Sequence, residues 1–309
     1  MDIIFSIVIL TYNRKECLKK QLSELQKITY PGKEIIVVDN ASDENVEDIT
    51  DLYKATLIRN PENFGAVGRN SGMKAASGKY IITLDDDVFG ITNEHLSLIE
   101  KQFELNPSLA AINFSVKDEL TNQSTDWCHP KEINIWQNQS FETNDISEGA
   151  VVFRKKSLDI SGYYPDEFFI SHEGPDLAFR LIKHGYSIIY DPEISVIHTY
   201  ELQGRVSWRR YYFDTRNQLW LLIRNFPFFY SSKQLFFSWM SIFLYALRDG
   251  YVRFWWKGIY DAVKEAPSQF KLREKPSKQT MKKWKSLEKD RPSIYSKLKR
   301  RLKYSTMRG

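Results

Sequence analysis

Short runs of β-branched and apolar residues alternate along this chain with segments whose apolar residues recur every three or four positions. Phe5 to Leu10 reads as a buried strand, Thr11-Tyr12-Asn13-Arg14 as a turn, and Cys17, Leu18, Leu22 and Leu25 fall at helical spacing. Tyr30-Pro31-Gly32 breaks that helix, and Glu34 to Val38 forms a second apolar run ending in Asp39-Asn40-Ala41-Ser42. A weakly helical stretch (Asp43 to Tyr53), a short strand (Thr56 to Ile58), a turn-rich loop (Asn60 to Gly65) and a small-residue helix (Ala66 to Ala76) lead to the strand Tyr80 to Leu84. The β-α-β-α-β-α-β order predicts an α/β fold with a Rossmann-like, mixed but mostly parallel sheet flanked by helices.

Right-handed crossovers place the loops that follow the strands on one sheet edge. That edge gathers Thr11, Tyr12, Asp39, Asn63, Arg69 and Asn70 with the run Asp85-Asp86-Asp87. A short buried strand cannot hold three like charges without a cation. Strand alternation points Asp85 and Asp87 the same way, so a divalent metal held by that pair would carry a diphosphate. The plainer alternative is an acidic loop capping the next helix. Together the groups describe a nucleotide-diphosphate site. No Gly-x-Gly-x-x-Gly or Gly-Lys-Ser follows the first strand, which disfavours dinucleotide oxidoreduction and ATP hydrolysis.

Composition narrows the setting. The chain has 309 residues, 42% hydrophobic, enough for one large core with or without a smaller appendage. Two cysteines, Cys17 and Cys128, do not make a disulfide framework or structural zinc site, and no basic leader precedes the first strand. A cytoplasmic location is therefore expected. The net charge of +5 is uneven: residues 271–309 carry +12, leaving −7 for the rest. Such a tail suits a polyanion, an anionic membrane in preference to nucleic acid, or it is simply a solvated helical face.

The runs Ser6-Ile7-Val8-Ile9-Leu10-Thr11-Tyr12-Asn13-Arg14, Val37-Val38-Asp39-Asn40-Ala41-Ser42, Asn63-Phe64-Gly65 with Arg69-Asn70-Ser71-Gly72, and Leu84-Asp85-Asp86-Asp87 resemble the successive motifs of the family 2 glycosyltransferases, rhamnosyltransferase-like members included. The resemblance implies a GT-A fold. It also implies a nucleotide-sugar donor, UDP- or dTDP-linked, its nucleoside held by the first two motifs and its diphosphate by the Asp-x-Asp metal, with transfer usually inverting the anomeric configuration. Thr11, Tyr12, Asn13, Arg14, Asp39, Asn63, Gly65, Arg69, Asn70, Asp85 and Asp86 become donor-binding residues on this reading, and Asp85, Asp87 and His198 metal ligands. A lone histidine at a strand end is more often structural; the resemblance is what makes His198 a ligand. Imidazole beside carboxylates suits Mn²⁺ somewhat better than Mg²⁺.

Further on, Ala110 to Phe114 is a strand, Leu120 to Asn144 a polar stretch expected to be a specificity loop, and Glu148-Gly149-Ala150 a turn entering the strand that ends at Arg154. Pro175 suits a helix first turn, and Asp176, Leu177, Arg180 and Leu181 continue it to Gly185. Family members commonly read Glu-Asp-x-Asp here, the Asp after the Glu serving as general base. Gly174 stands at that position, so Glu173 becomes the base expected to deprotonate a sugar hydroxyl, with Asp176 and His172 in reserve. Ser187 to Tyr190 and Val196 to His198 read as the last two strands.

After about residue 205 the pattern turns helical and aromatic, and Leu235 to Leu247 carries no charge yet is too short to span a bilayer. It either covers the catalytic flank or lies in a membrane interface with Trp239, Tyr245, Trp255 and Trp256 as anchors. The expected organisation is a nucleotide-sugar catalytic domain over 1–205 and a helical, basic region over 206–309. The expected activity is metal-dependent inverting transfer of a hexosyl or deoxyhexosyl group to a glycan or lipid-linked acceptor in cell-surface polysaccharide synthesis, peripheral on the inner face of the membrane. Self-association into a homo-oligomer stays open. The rivals are a nucleotidyltransferase and a non-catalytic nucleotide-sugar-binding partner.

Overall fold

A computed structural model describes residues 2–125, 127, 129–199 and 208–292. Nine strands, β1 (Phe5–Thr11), β2 (Lys33–Asp39), β3 (Thr56–Arg59), β4 (Tyr80–Asp85), β5 (Val88–Phe89), β6 (Leu109–Asp118), β7 (Phe141–Glu142), β8 (Ala150–Arg154) and β9 (Ser187–His198), form one sheet. Their order is β3-β2-β1-β4-β8-β6-β9-β5, with β7 beside β9. The ladders β3-β2-β1-β4 and β6-β9 are parallel, whereas β8 runs against both β4 and β6. The helices are α1 (Lys15–Leu25), α2 (Glu47–Leu52), α3 (Asn70–Ala75), α4 (Asn93–Leu105), α5 (Ile133–Trp136), α6 (Lys155–Ser161), α7 (Glu173–Lys183), α8 (Trp208–Asn225), α9 (Phe228–Arg248), α10 (Val252–Lys264), α11 (Ala266–Lys271) and α12 (Lys278–Leu287).

Strand alternation divides the core. Phe5, Ile7, Ile9, Val37, Ile82 and Leu84 meet Leu18, Leu22 and Leu25 of α1 and Leu96, Ile99 and Phe103 of α4. Val8, Ile36, Val38 and Ile81 face the opposite layer, where Met73, Leu177, Leu181, Trp220 and Trp284 pack. The predicted helix Ala66 to Ala76 is instead a 3₁₀ turn (Gly65–Arg69) followed by α3. Here the chain lies hard on the sheet: a Cβ at Gly72 would come within 2.6 Å of Val38 and 2.7 Å of Val8. The two strands expected at 187–190 and 196–198 are one strand, because Pro192, which cannot donate to a ladder, falls at a register shift against β6.

The C-terminal helices share this core. Trp220 is fully buried, its Nε1 donating to the Ala262 carbonyl at 3.2 Å, and Trp284 packs on Phe179 and Phe226. The expected boundary at 205/206 lies outside the described residues, as does 293–309, more than a third of the basic tail. Of the expected membrane anchors, Trp255 is buried and donates to the Trp239 carbonyl, while Trp239 donates to the Thr215 carbonyl. Both indoles satisfy their N–H groups inside the helical layer, and Trp256 is the exposed one. No described helix is long and apolar enough to cross a membrane.

Candidate active site

The site forms where β4 ends. Asp85 is its last residue, Asp86 and Asp87 make the turn into β5, and β5 pairs with the end of β9 so that Val88 lies opposite His198. Alternation holds only inside a strand, so the expectation that Asp85 and Asp87 point together fails. Asp85 takes Arg69 Nη2 at 2.9 Å. Asp86 accepts from Thr11 Oγ1 at 2.7 Å and Arg14 Nη1 at 2.8 Å. Asp87 accepts from the same Arg14 nitrogen at 2.7 Å and lies 3.4 Å from His198 Nε2. The cations that let three acids gather here are thus two guanidiniums.

Their electrostatics differ accordingly. Burial pushes Asp86 up to about 7 despite Arg14. Burial also works against Asp87, but hydrogen bonds from His198 and Arg14 outweigh it and hold its carboxyl below the usual range. Among the described residues no three acidic, histidine or cysteine side chains converge tightly enough to hold an ion, so Asp85, Asp87 and His198 are not a preassembled ligand set. Asp87 and His198 do stand together, and a carboxylate oxygen with an imidazole nitrogen is a donor pair that fits Mn²⁺. Trp127, in the expected specificity loop, lies over His198 with ring centroids 4.7 Å apart.

Along the same edge, Asp39 sits beside Thr11 in the β1–β2 register and is fully buried. One of its oxygens accepts from Ser42 N–H at 2.9 Å and the other is 3.3 Å from Arg59 Nη1. Arg59, at the end of β3, was not singled out by its sequence context. Asn13 adopts φ 54° and pairs reciprocally with Asp43, while Tyr12 is 41% exposed at the rim. Asn63 accepts from Asn40 Nδ2 at 2.9 Å and Gly65 N–H at 2.8 Å. Gly65 has φ +67° and touches the Phe169 carbonyl so closely that a Cβ would collide with it. Asn70 turns to the Tyr164 carbonyl and Asp166, so Asn63, Gly65 and Asn70 shape the loops around the cleft.

The other wall is a strained approach to α7. Phe169, Ser171 and His172 have φ of 65°, 77° and 67°, each costing about 1–3 kcal/mol unless held from outside. α8 holds them. Asn217 Nδ2 reaches the carbonyls of Phe168, Ile170 and Ser171 at 2.9, 2.8 and 2.8 Å, and Ser171 Oγ donates to Asp214 at 2.5 Å. Asn217→Ala is expected to cost about 1–3 kcal/mol, read as a lower Tm, with a fall in kcat beyond that explained by unfolding.

This loop delivers Glu173, 3% exposed, whose carboxyl burial pushes up to about 7. Its Oε2 has no hydrogen-bond partner among the described residues. Asp176 does not join it: Arg180 Nε holds one of its oxygens at 2.9 Å and Asn225 Nδ2 the other at 2.7 Å, committing it to the α7–α8 interface. His172 is half-buried, and the loss of solvent around its ring lowers its pKa. Glu148 was read only as part of a turn. Its carbonyl accepts from Arg69 Nη1 and from Thr83 Oγ1 at 2.7 Å, and a Cβ at Gly174 would strike its carboxyl Oε1. Gly174 therefore has a steric reason, since a Cβ would also stand 2.5 Å from the Ile146 backbone carbonyl, and neither neighbour can be seen locally.

Residues 6–160 match the family described as glycosyl transferase family 2. A poly-beta-1,6-N-acetyl-D-glucosamine synthase of Staphylococcus epidermidis is 27% identical over 60% of this chain and 48% of its own length, so the chain spans about half of that relative. The O-antigen chain rhamnosyltransferase WbaN of Salmonella anatum is 25% identical over 68% of this chain and 70% of its own. Among solved structures, a mannosyltransferase from Pyrobaculum calidifontis in complex with GDP-Man and Mn²⁺ matches with TM-score 0.58 and 16% identity over 93% of this chain and 84% of that one. S. aureus TarS in complex with UDP-GlcNAc matches with TM-score 0.60 and 17% identity over 88% and 84%. With the motif-bearing strands, the mixed sheet of GT-A type and the acid-lined edge in place, the chain belongs to glycosyl transferase family 2.

Proposed function

We propose that the protein transfers a sugar, with inversion, from a nucleoside diphosphate sugar to a hydroxyl of a glycan or lipid-linked acceptor in polysaccharide synthesis. The observation that carries this reading is the meeting of Arg14, Asp87 and His198 at the end of β4, with buried Glu173 on the opposing wall. Thr11, Asp39 and Arg59 line the nucleoside end. Asp87 and His198 would hold the divalent ion, which supplies charge to neutralise the departing diphosphate. Arg14 steadies Asp86 and Asp87 against their mutual repulsion, and Glu173 takes the proton of the acceptor hydroxyl. The mannosyltransferase complexed with Mn²⁺ and TarS complexed with UDP-GlcNAc support a metal and a nucleotide-sugar donor. Thermal-shift screening of nucleotide sugars with and without Mn²⁺, followed by product analysis, tests it. Release of nucleoside diphosphate is expected; pyrophosphate would identify a nucleotidyltransferase, and binding without turnover a non-catalytic partner.

The same reading includes peripheral attachment to an anionic membrane. Phe229, Phe236, Phe237, Leu244 and Leu247 of α9 are at least half exposed, and Trp256 and Tyr260 of α10 are as exposed. Each Lys or Arg near an anionic leaflet adds about 1 kcal/mol. Co-sedimentation with anionic but not neutral vesicles is expected, weakened by salt and lost in a Phe236→Ser/Phe237→Ser variant. Truncation after Asp261 would be a poor probe, because it removes Trp284 from the core. Equal recovery with both vesicle types would count against attachment.

A further inference from the structure

Glu148 and Glu173 reach one pocket from different elements. Glu148 precedes β8 in the turn beside the end of β4, where Ala150 lies opposite Leu84; Glu173 opens α7. Glu148 Oε1 fills the space beside Gly174 that a side chain would need, and that space is also bounded by the Ile146 carbonyl, 2.5 Å from where a Cβ would stand. As whole residues Glu148 is half-buried and Glu173 is buried. Arg69 is the cation facing them, but it already serves Asp85, the Glu148 carbonyl and the Ala66 carbonyl. Asp85, Asp145, Asp214 and Tyr164 surround the pair without adding positive charge, and burial lowers the pKa of His172 against the pull of Asp214 and Asp145.

We propose that the proton acceptor of this site is a two-carboxyl unit in which Glu148 meets the acceptor hydroxyl and Glu173 beneath it shares the proton. The proposal rests on the glycosyltransferase reading and refines its base, with Glu148 instead of Glu173 meeting the hydroxyl and Glu173 acting through it. Two carboxyls in one desolvated pocket do not both ionise readily, so they titrate as a unit. Burial raises both, and the charge of Glu173 raises Glu148 further. With one proton between them the pair still has one basic oxygen. As the acceptor oxygen bonds to the sugar C1, the bond from C1 to the phosphate oxygen breaks and its electron pair leaves on the nucleoside diphosphate. The hydroxyl proton passes to Glu148, leaving the pair doubly protonated until one proton returns to water. Gly174 is the glycine that admits this arrangement.

Two measurements on the full chain test it. In turnover, Glu148→Gln is expected to lower kcat by roughly 10²-fold with donor KM nearly unchanged. Adding Glu173→Gln should cost little more than the worse single change, because the two act as a unit. Near-normal kcat in Glu148→Gln, or losses that multiply, would overturn the pair. The second measurement needs no turnover. Each single Gln variant should gain Tm over the wild type at pH 8 relative to pH 5, and the two gains should be less than additive; strict additivity also overturns the pair. Absence of any donor turnover by the wild type would instead count against the glycosyltransferase reading.

Discussion

Glu173→Gln is expected to lower kcat by roughly 10²-fold or more with donor affinity almost unchanged, since the amide keeps the shape but accepts no proton. The wild-type pH profile makes the assignment sharper. A carboxylate must be available to act, and burial pushes Glu173 up to about 7, so kcat/KM should rise with pH to about neutrality and then level. The Gln variant should lose that limb. Stability runs the other way. Between the ordinary value of 4.5 and about 7 the folded protein keeps a proton that the unfolded chain has released, so raising pH through this window removes stability. The Gln variant, with nothing to ionise, should show a flatter Tm profile there. A variant with near-normal kcat would remove Glu173 from the chemistry.

Asp87→Ala is expected to reduce turnover by on the order of 10³-fold and to abolish the Mn²⁺-dependent part of donor binding in a thermal-shift titration. Asp87 is the point where Arg14 and His198 meet, so its loss takes a carboxylate from beside the imidazole while Arg14 keeps Asp86. The fold should survive, because the residue lies in the turn after β4 and contributes nothing to either apolar face of the sheet. Donor binding that still responds fully to Mn²⁺ would refute the assignment.

How far the site was legible depends on the range of the interactions. The strand runs ending at Thr11, Asp39 and Asp85 were visible because each is a local apolar run closed by polar residues, and handed crossovers then dictate a shared edge. The aims of the three aspartates were not visible. They depend on a turn beginning at Asp86, and on Arg14 reaching across 72 residues to bind there. Arg59, Glu148 and Asn217 escaped for the same reason: an arginine, a glutamate and an asparagine in unremarked contexts acquire their roles only when tertiary packing gives them partners. Asp176, held in reserve as a base, has one oxygen claimed by Arg180 four residues on and the other by Asn225, 49 residues away and visible only after folding.

The grip of Asn217 on the left-handed turn before Glu173 bears on how such a chain can be recombined. A chimaera joined near residue 205 would inherit the acid-lined edge from one parent and the clasp that positions its opposing wall from another. A joint after Asn225 would carry the clasp along. Diversity is then tolerated on the exposed faces of α9 and α10, where Phe236, Phe237 and Trp256 lie, so partner or surface preference can drift there while the α7 approach stays under the control of Asn217 and Asp214 inherited with the catalytic half.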